Sequence, residues 1–175
     1  MTRVGIEAVV AEGFRPWRGR NLGLVVNQAS ILSDFQYTLD VVRARQAEGG
    51  YRLAAIFGPQ HGLSGHTQDN MIEWEGETGS GEAIPIHSLY GQVREPTDAM
   101  LADIDTLVID LPDVGARYYT FIWTMALCMK AASERGIAVV VLDRPNPLGG
   151  AVVEGPRMKA EMESFVGLFP IVARH

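Results

Sequence analysis

A chain of 175 residues suffices for one domain, which at this size buries roughly 70% of its unfolded surface, and is short for two. A formal net charge of −6, with 21% of residues charged, argues against nucleic acid as the main partner, because phosphate binding needs clustered Lys and Arg. The single cysteine, Cys128, excludes an internal disulfide and a cysteine metal cluster, and its setting in an expected helix reads as a buried structural thiol.

In chain order, Ile6, Val9, Val10 and Phe14 fall at helical spacing, with Gly13 as a stop. The same N-terminal stretch carries Arg3, Glu7 and Glu12 and so lacks the continuous apolar core of a signal peptide. No run approaches the roughly 20 apolar residues of a membrane span. As written, the chain is expected in the cytoplasm, or in the periplasm or medium if a leader has been removed. A basic turn over residues 15–20 leads to the apolar run 22–26, a strand ending at Asn27. Residues 37–48 read as a helix stopped by Gly49-Gly50. The run 53–57 is a second strand, closed by Gly58-Pro59. Residues 84–87 form a weaker strand candidate, with Pro85 suggesting a sheet edge. A short helix over 97–102, a strand over 106–110 and a long helix over 120–134 follow. Residues 138–142 carry the strongest strand signal, and the chain after Asp143 is loop-rich.

Strands and helices alternate, and the strands are apolar throughout rather than at every second residue. Helices on both faces of a sheet produce that pattern. With right-handed crossovers the expectation is an α/β, doubly wound, mostly parallel Rossmann-like sheet, with residues 1–175 forming one domain. The segment 58–83 is long, polar and rich in Gly, Glu, His and Asp, and loops of that length in compact domains are functional or disordered.

Ligands of open α/β sheets bind outside the carboxyl ends of the strands. The polar residues there are Asn27 and Gln28, Gln60 and His61, Ser88 and Tyr90, Asp110 with Asp113 and Arg117, and Asp143 with Arg144 and Asn146. Singly, such residues cap helices and shape turns; gathered at one sheet edge they point to a polar ligand site. The first strand is followed by Asn27-Gln-Ala-Ser-Ile-Leu32, not by a glycine-rich dinucleotide fingerprint, and no P-loop or Gly-x-Ser-x-Gly elbow is present. A dinucleotide cofactor or a nucleotide phosphate is therefore disfavoured. His61, His66 and Asp69 form a weak metal candidate, whose spacing matches no strong zinc signature. Trp74 stands among Glu73, Glu75, Glu77 and Glu82. Sugar rings stack on aromatics and carboxylates do acid–base work at glycosidic oxygens, while a solvated acidic loop has the same composition.

Four segments carry a resemblance: Gly58-Pro-Gln-His-Gly62; Ser88-Leu-Tyr-Gly91 with Pro96-Thr97; Asp110-Leu-Pro-Asp-Val-Gly-Ala-Arg-Tyr-Tyr-Thr120; and Leu142-Asp-Arg-Pro-Asn-Pro-Leu-Gly-Gly150. Val153-Glu-Gly-Pro156 and Phe165-Val-Gly-Leu168 extend it. From Gly23 onward the chain resembles the exo-β-N-acetylmuramidase family of bacterial cell-wall recycling. The resemblance implies a Rossmann-like N-terminal domain, a smaller C-terminal domain that this chain lacks, and an active site in the cleft that the second domain completes. It implies release of terminal N-acetylmuramic acid from muropeptides or other peptidoglycan fragments, with no cofactor. On this reading Asn27, Trp74, Tyr90, Asp110, Asp113, Arg117, Tyr118, Asp143, Arg144 and Asn146 are candidate substrate contacts. One of Arg117 and Arg144 is expected to pair with the lactyl carboxylate that distinguishes muramic acid, unless both are structural and pair with Asp113 or Asp143.

One position departs from the family. Gln60 stands where the family has the Glu proposed as catalytic acid. An amide keeps the shape and hydrogen bonding of a carboxyl but does not titrate near neutral pH. Either Glu73, Glu75 or His61 supplies the proton beside Gln60, or the domain binds a glycan without cutting it. A metal-dependent hydrolase is the third alternative.

Overall fold

The computed structural model describes residues 2–65, 73–74 and 84–169. Five strands form one sheet in the order β3-β2-β1-β4-β5, every neighbouring pair parallel. They are β1 (Asn21–Val26), β2 (Arg52–Gly58), β3 (Ile86–Ser88), β4 (Thr106–Asp110) and β5 (Ala138–Val141). The helices are α1 (Gly5–Ala11), α2 (Thr38–Ala44), α3 (Gln46–Gly49), α4 (Asp98–Leu101) and α5 (Phe121–Glu134). The chain winds outward from β1 in both directions, the doubly wound Rossmann-like order that right-handed crossovers favour.

Each sheet face has its own core, because successive side chains of a strand point to opposite sides. On one face Leu22, Leu24, Ile56 and Val108 meet Ile6 of α1, Val41 and Val42 of α2, and the aromatic trio Phe14, Trp17 and Tyr51. On the other, Val25, Phe57, Leu107 and Ile109 meet Leu101 of α4 and Phe121, Cys128, Ala131 and Ala132 of α5. Register slips between β1 and β2 after Leu22, which pairs with Leu53, since Gly23 pairs with Ala55. Ala54 is thus an extra residue, a β-bulge, and it joins Ala55 on the α4–α5 face. Two adjacent alanines are small enough to share one side there.

Two expectations need correction. The helix over 37–48 breaks at Arg45 (φ −100°, ψ 12°) into α2 and α3, with Gly50 ending the second in the left-handed region. The strand at residues 138–142, apolar enough for full burial, is one of the two outer strands. Its four residues are exposed or only half-buried, and Val141 is 46% exposed. Hydrophobic content does not distinguish an uncovered edge from a covered centre. Among the described residues no helix is long and apolar enough to cross a membrane.

Candidate functional site

All five strands point the same way, so their carboxyl ends share one edge of the sheet; Asp110 is the last residue of β4, and Asn27, Gln60, His61, Tyr90 and Asn146 follow strand ends. The structure sorts them into three groups.

The first is a cleft of about 520 Å³ lined by Gln60, His61, Tyr90 and Tyr118. Tyr119, Thr120 and Phe121, at the start of α5, and Ser164, Phe165 and Val166 near the chain's end complete its lining. Tyr118 is 73% exposed and Tyr119 stands edge-on to Phe121 at 5.0 Å. Tyr90 packs against Phe165 at 5.5 Å, and the Arg94 guanidinium lies 3.9 Å over its ring, a cation–π contact. Arg94 is held in turn by Glu73 at 2.9 Å and by the Gly91 carbonyl. The Thr120 hydroxyl donates to Gln60 Oε1 at 2.7 Å, tying the loop after β2 to the start of α5. His61 has φ 71°, in the left-handed region that disfavours a residue with a Cβ, a conformation that recurs at functional sites.

The second group is structural. Asp110 is fully buried. Arg144 donates to both its carboxylate oxygens (2.6 and 2.9 Å), and the Thr38 hydroxyl donates to it at 2.6 Å. The Ser30 hydroxyl donates to the Asp110 carbonyl. The expected substrate contacts Asp110 and Arg144 are thus each other's partners; the alternative pairing of Arg144 with Asp143 is not what forms. Asp143 is exposed, and its carbonyl accepts from Gly5 N. Asp113 and Asn146 each accept a backbone N–H two residues on, from Gly115 and Leu148. Arg117 donates to the Pro156 carbonyl at 2.6 Å, and its buried Nε has no hydrogen-bond partner among the described residues. Trp74 is a prop for the β2 loop rather than part of the cleft lining. Its Nε1 donates to the Pro59 carbonyl at 3.0 Å, and its ring occupies the space beside Gly58, where an added Cβ would lie 2.6 Å from it. Glu73 also stands outside the lining, engaged with Arg94. Glu75, and His66 and Asp69 of the metal alternative, lie outside the described residues. Among the described residues no three His, Cys, Asp or Glu side chains gather as a metal site.

The third group is a separate pocket on the other side of the sheet edge, to which Asn27 belongs.

The residues that the sequence reading passed over in the cleft are Tyr119, Thr120, Phe121, Ser164, Phe165 and Val166. Their signal was in view: Tyr119 and Thr120 end the Asp110 segment, and Phe165-Val-Gly-Leu168 is one of the matching segments.

The model of the exo-β-N-acetylmuramidase NamZ N-terminal family matches residues 22–175. This chain belongs to that family. The NamZ-family chain is 39% identical to peptidoglycan β-N-acetylmuramidase NamZ of Bacillus subtilis (strain 168), over 99% of its own length and 41% of the relative's. Two crystal structures of DUF1343 family proteins from Bacteroides fragilis share its fold. One has a TM-score of 0.83 at 36% identity, covering 97% of this chain and 41% of that one. The other has a TM-score of 0.75 at 30% identity, covering 99% and 43%. The NamZ-family chain therefore spans about two fifths of the length of the relatives it matches.

Proposed function

We propose that the cleft holds the terminal sugar of a peptidoglycan fragment and that the whole gene product is a glycoside hydrolase releasing N-acetylmuramic acid from non-reducing ends. The observation that carries this reading is the family match over residues 22–175. The aromatic lining supports it, since Tyr90, Tyr118 and Tyr119 offer ring faces on which a pyranose can stack and hydroxyls with which it can hydrogen-bond.

The proton for the leaving oxygen is assigned to His61. Gln60 does not titrate, and with its Oε1 accepting from Thr120 its NH₂ is the group left to donate to a sugar oxygen. Glu73 is engaged with Arg94 away from the lining. An imidazole can both give and take a proton, and His61 lines the cleft. In the net reaction the bond from the anomeric carbon to the leaving oxygen breaks. That oxygen takes a proton, the anomeric carbon takes hydroxide from water, and water's other proton restores the acid. Arg117 is the arginine left for the lactyl carboxylate, since Arg144 is committed to Asp110; reaching a sugar in the cleft requires its guanidinium to leave the Pro156 carbonyl.

The second reading, a catalytically silent glycan-binding protein, is favoured by Gln60, an amide in the cleft at the position where the resemblance implies a catalytic acid. Turnover of a chromogenic N-acetylmuramic acid glycoside by the whole gene product, beside the N-acetylglucosamine counterpart, separates the two. Hydrolysis that His61→Ala removes and Gln60→Glu leaves nearly unchanged supports the enzyme with a relocated acid. Binding without turnover, converted to turnover by Gln60→Glu, supports the silent site.

A further inference from the structure

The carboxyl edge of the sheet carries two pockets, one toward each face. The cleft opens on the α5 side. The second pocket, of about 280 Å³, opens on the α2 side and is lined by the end of β1, the start of α2 and the loop after β2. Residues 59–65 divide the two: Gln60 and His61 line the cleft, Leu63 and Ser64 the second pocket.

Asn27 is the feature that demands a ligand. It is only 3% exposed, and it lines this pocket. Its Oδ1 accepts from Ala29 N at 2.9 Å, which fixes which end of the amide is oxygen, while the one proton of the Ser30 hydroxyl goes to the Asp110 carbonyl. The other end, Nδ2, is buried and has no partner among the described residues. A buried donor without an acceptor costs free energy, and native structures leave few of them. Around it stand Leu39 and Leu63, which are apolar, the carboxylate of Asp40, and the half-exposed ring of Tyr37. Tyr37 closes a small turn bridged to Ile31, whose tip presents Phe35 at 79% exposure with φ 67°.

We propose that this pocket is a second binding site, distinct from the cleft, for a neutral N-acyl amide group. The acyl carbonyl accepts from Asn27 Nδ2, the acyl carbons pack on Leu39 and Leu63, and the amide N–H or a neighbouring hydroxyl donates to Asp40. The same chemistry is offered by an acetamido sugar and by an acylated peptide. The assignment does not rest on the glycosidase reading, since no group of the cleft takes part in it.

The test is ¹H–¹⁵N and methyl NMR of the purified 175-residue chain. It is titrated separately with N-acetylglucosamine, with N-acetyl-alanine methylamide, and with glucosamine, which lacks the acyl group. Saturable shifts of the Asn27 side-chain amide and of the Leu39 and Leu63 methyls are expected with one or both acylated probes and not with glucosamine. The acylated arm that saturates identifies the source. Asn27→Asp keeps the oxygen that Ala29 uses and removes the donor, and it should weaken binding about tenfold, the worth of one hydrogen bond. Should that variant fail to fold, Asp40→Asn and Leu63→Ala at the pocket wall test the same site, each weakening the same shifts. Absence of shifts at Asn27 up to the solubility of both acylated probes, equal shifts with glucosamine, or affinity unchanged in all three variants would overturn the proposal. Shifts confined to His61 and the tyrosines of the cleft would overturn it too while leaving the glycosidase reading intact. A failed turnover assay with saturable Asn27 shifts would do the reverse.

Discussion

Asp110 and Gln60 stand at the same sheet edge, at the ends of the two strands that flank β1, and they have opposite fates. Asp110 ends β4, is fully buried, and spends its carboxylate on Arg144 and Thr38. Gln60 lies two residues past β2, accepts from Thr120 through its side chain, and lines an open cleft beside His61. The first is a charge held by so many partners that it serves as a rivet between β4, α2 and the loop after β5. The second is an uncharged amide tied by one side-chain hydrogen bond to the start of α5 and still facing the cleft. A polar residue past a strand marks the edge where ligands bind, but its engagement with the protein itself decides whether it can serve one.

The contrast is most open to test at Asp110. Asp110→Ala leaves Arg144 buried without its counter-charge, and chemical denaturation should show a loss of about 3–5 kcal/mol. A small loss accompanied by a specific defect in sugar binding would make Asp110 a ligand residue after all. His61→Gly should act the other way. Turnover of the muramic glycoside by the whole gene product should fall roughly 10²-fold or more. Stability should fall by less than about 1 kcal/mol, because glycine accepts the left-handed backbone that His61 holds at φ 71°, which offsets the removal of the imidazole. If unfolding rather than turnover suffers, the loop is a structural hinge.

A smaller effect bears on the role assigned to Trp74. Gly58→Ala places a Cβ 2.6 Å from its ring, so the ring or the strand must move. The expected cost is about 1–3 kcal/mol, with a change in tryptophan fluorescence and weakened sugar binding. Unchanged fluorescence would remove Trp74 as the support of the β2 loop. The smallest effect concerns pH. Burial lowers the pKa of His87, on β3, below the ordinary imidazole value of 6.5. The unfolded chain then binds a proton more readily than the folded one. The contribution is fully present above pH 6.5 and is lost as pH falls through the depressed folded-state value. His87→Gln should flatten the stability profile on that acid side, and an unchanged slope would assign the pH dependence to other groups.

The fold was legible because β1, β2 and β4 are continuous apolar runs closed by Asn27, Gly58-Pro59 and Asp110, and such runs have few alternatives in a chain of alternating elements. The status of β5 was not, since covering depends on what lies beside a strand rather than on its own residues. The bulge at Ala54 was equally hidden, because an alanine pair within an apolar run carries no mark of register. In the site, the sheet edge and the placement of Gln60 and His61 at it were readable. The partnership of Asp110 and Arg144, distant in sequence, was not. Trp74 among carboxylates looked like a sugar platform, and only the missing Cβ atoms of Gly58 and Gly62 reveal the slot that its ring fills.

Cys128 sits in the core between α5 and the sheet, fully buried, with burial pushing its thiol well above the ordinary range. Thiolate is the reactive form, so in the folded state an alkylating reagent finds neither access nor a nucleophile. Labelling must wait until α5 lifts from β4 and its neighbours. With no second cysteine in the sequence, the alkylation rate under native conditions becomes a clock for the opening of that one face, running at the pace of local unfolding if the helix detaches alone and of global unfolding if it does not. The wall of the cleft includes the first residue of that same helix, so a ligand that bridges Phe121 to the β2 loop should slow the clock, and one confined to the α2 side should leave it ticking unchanged.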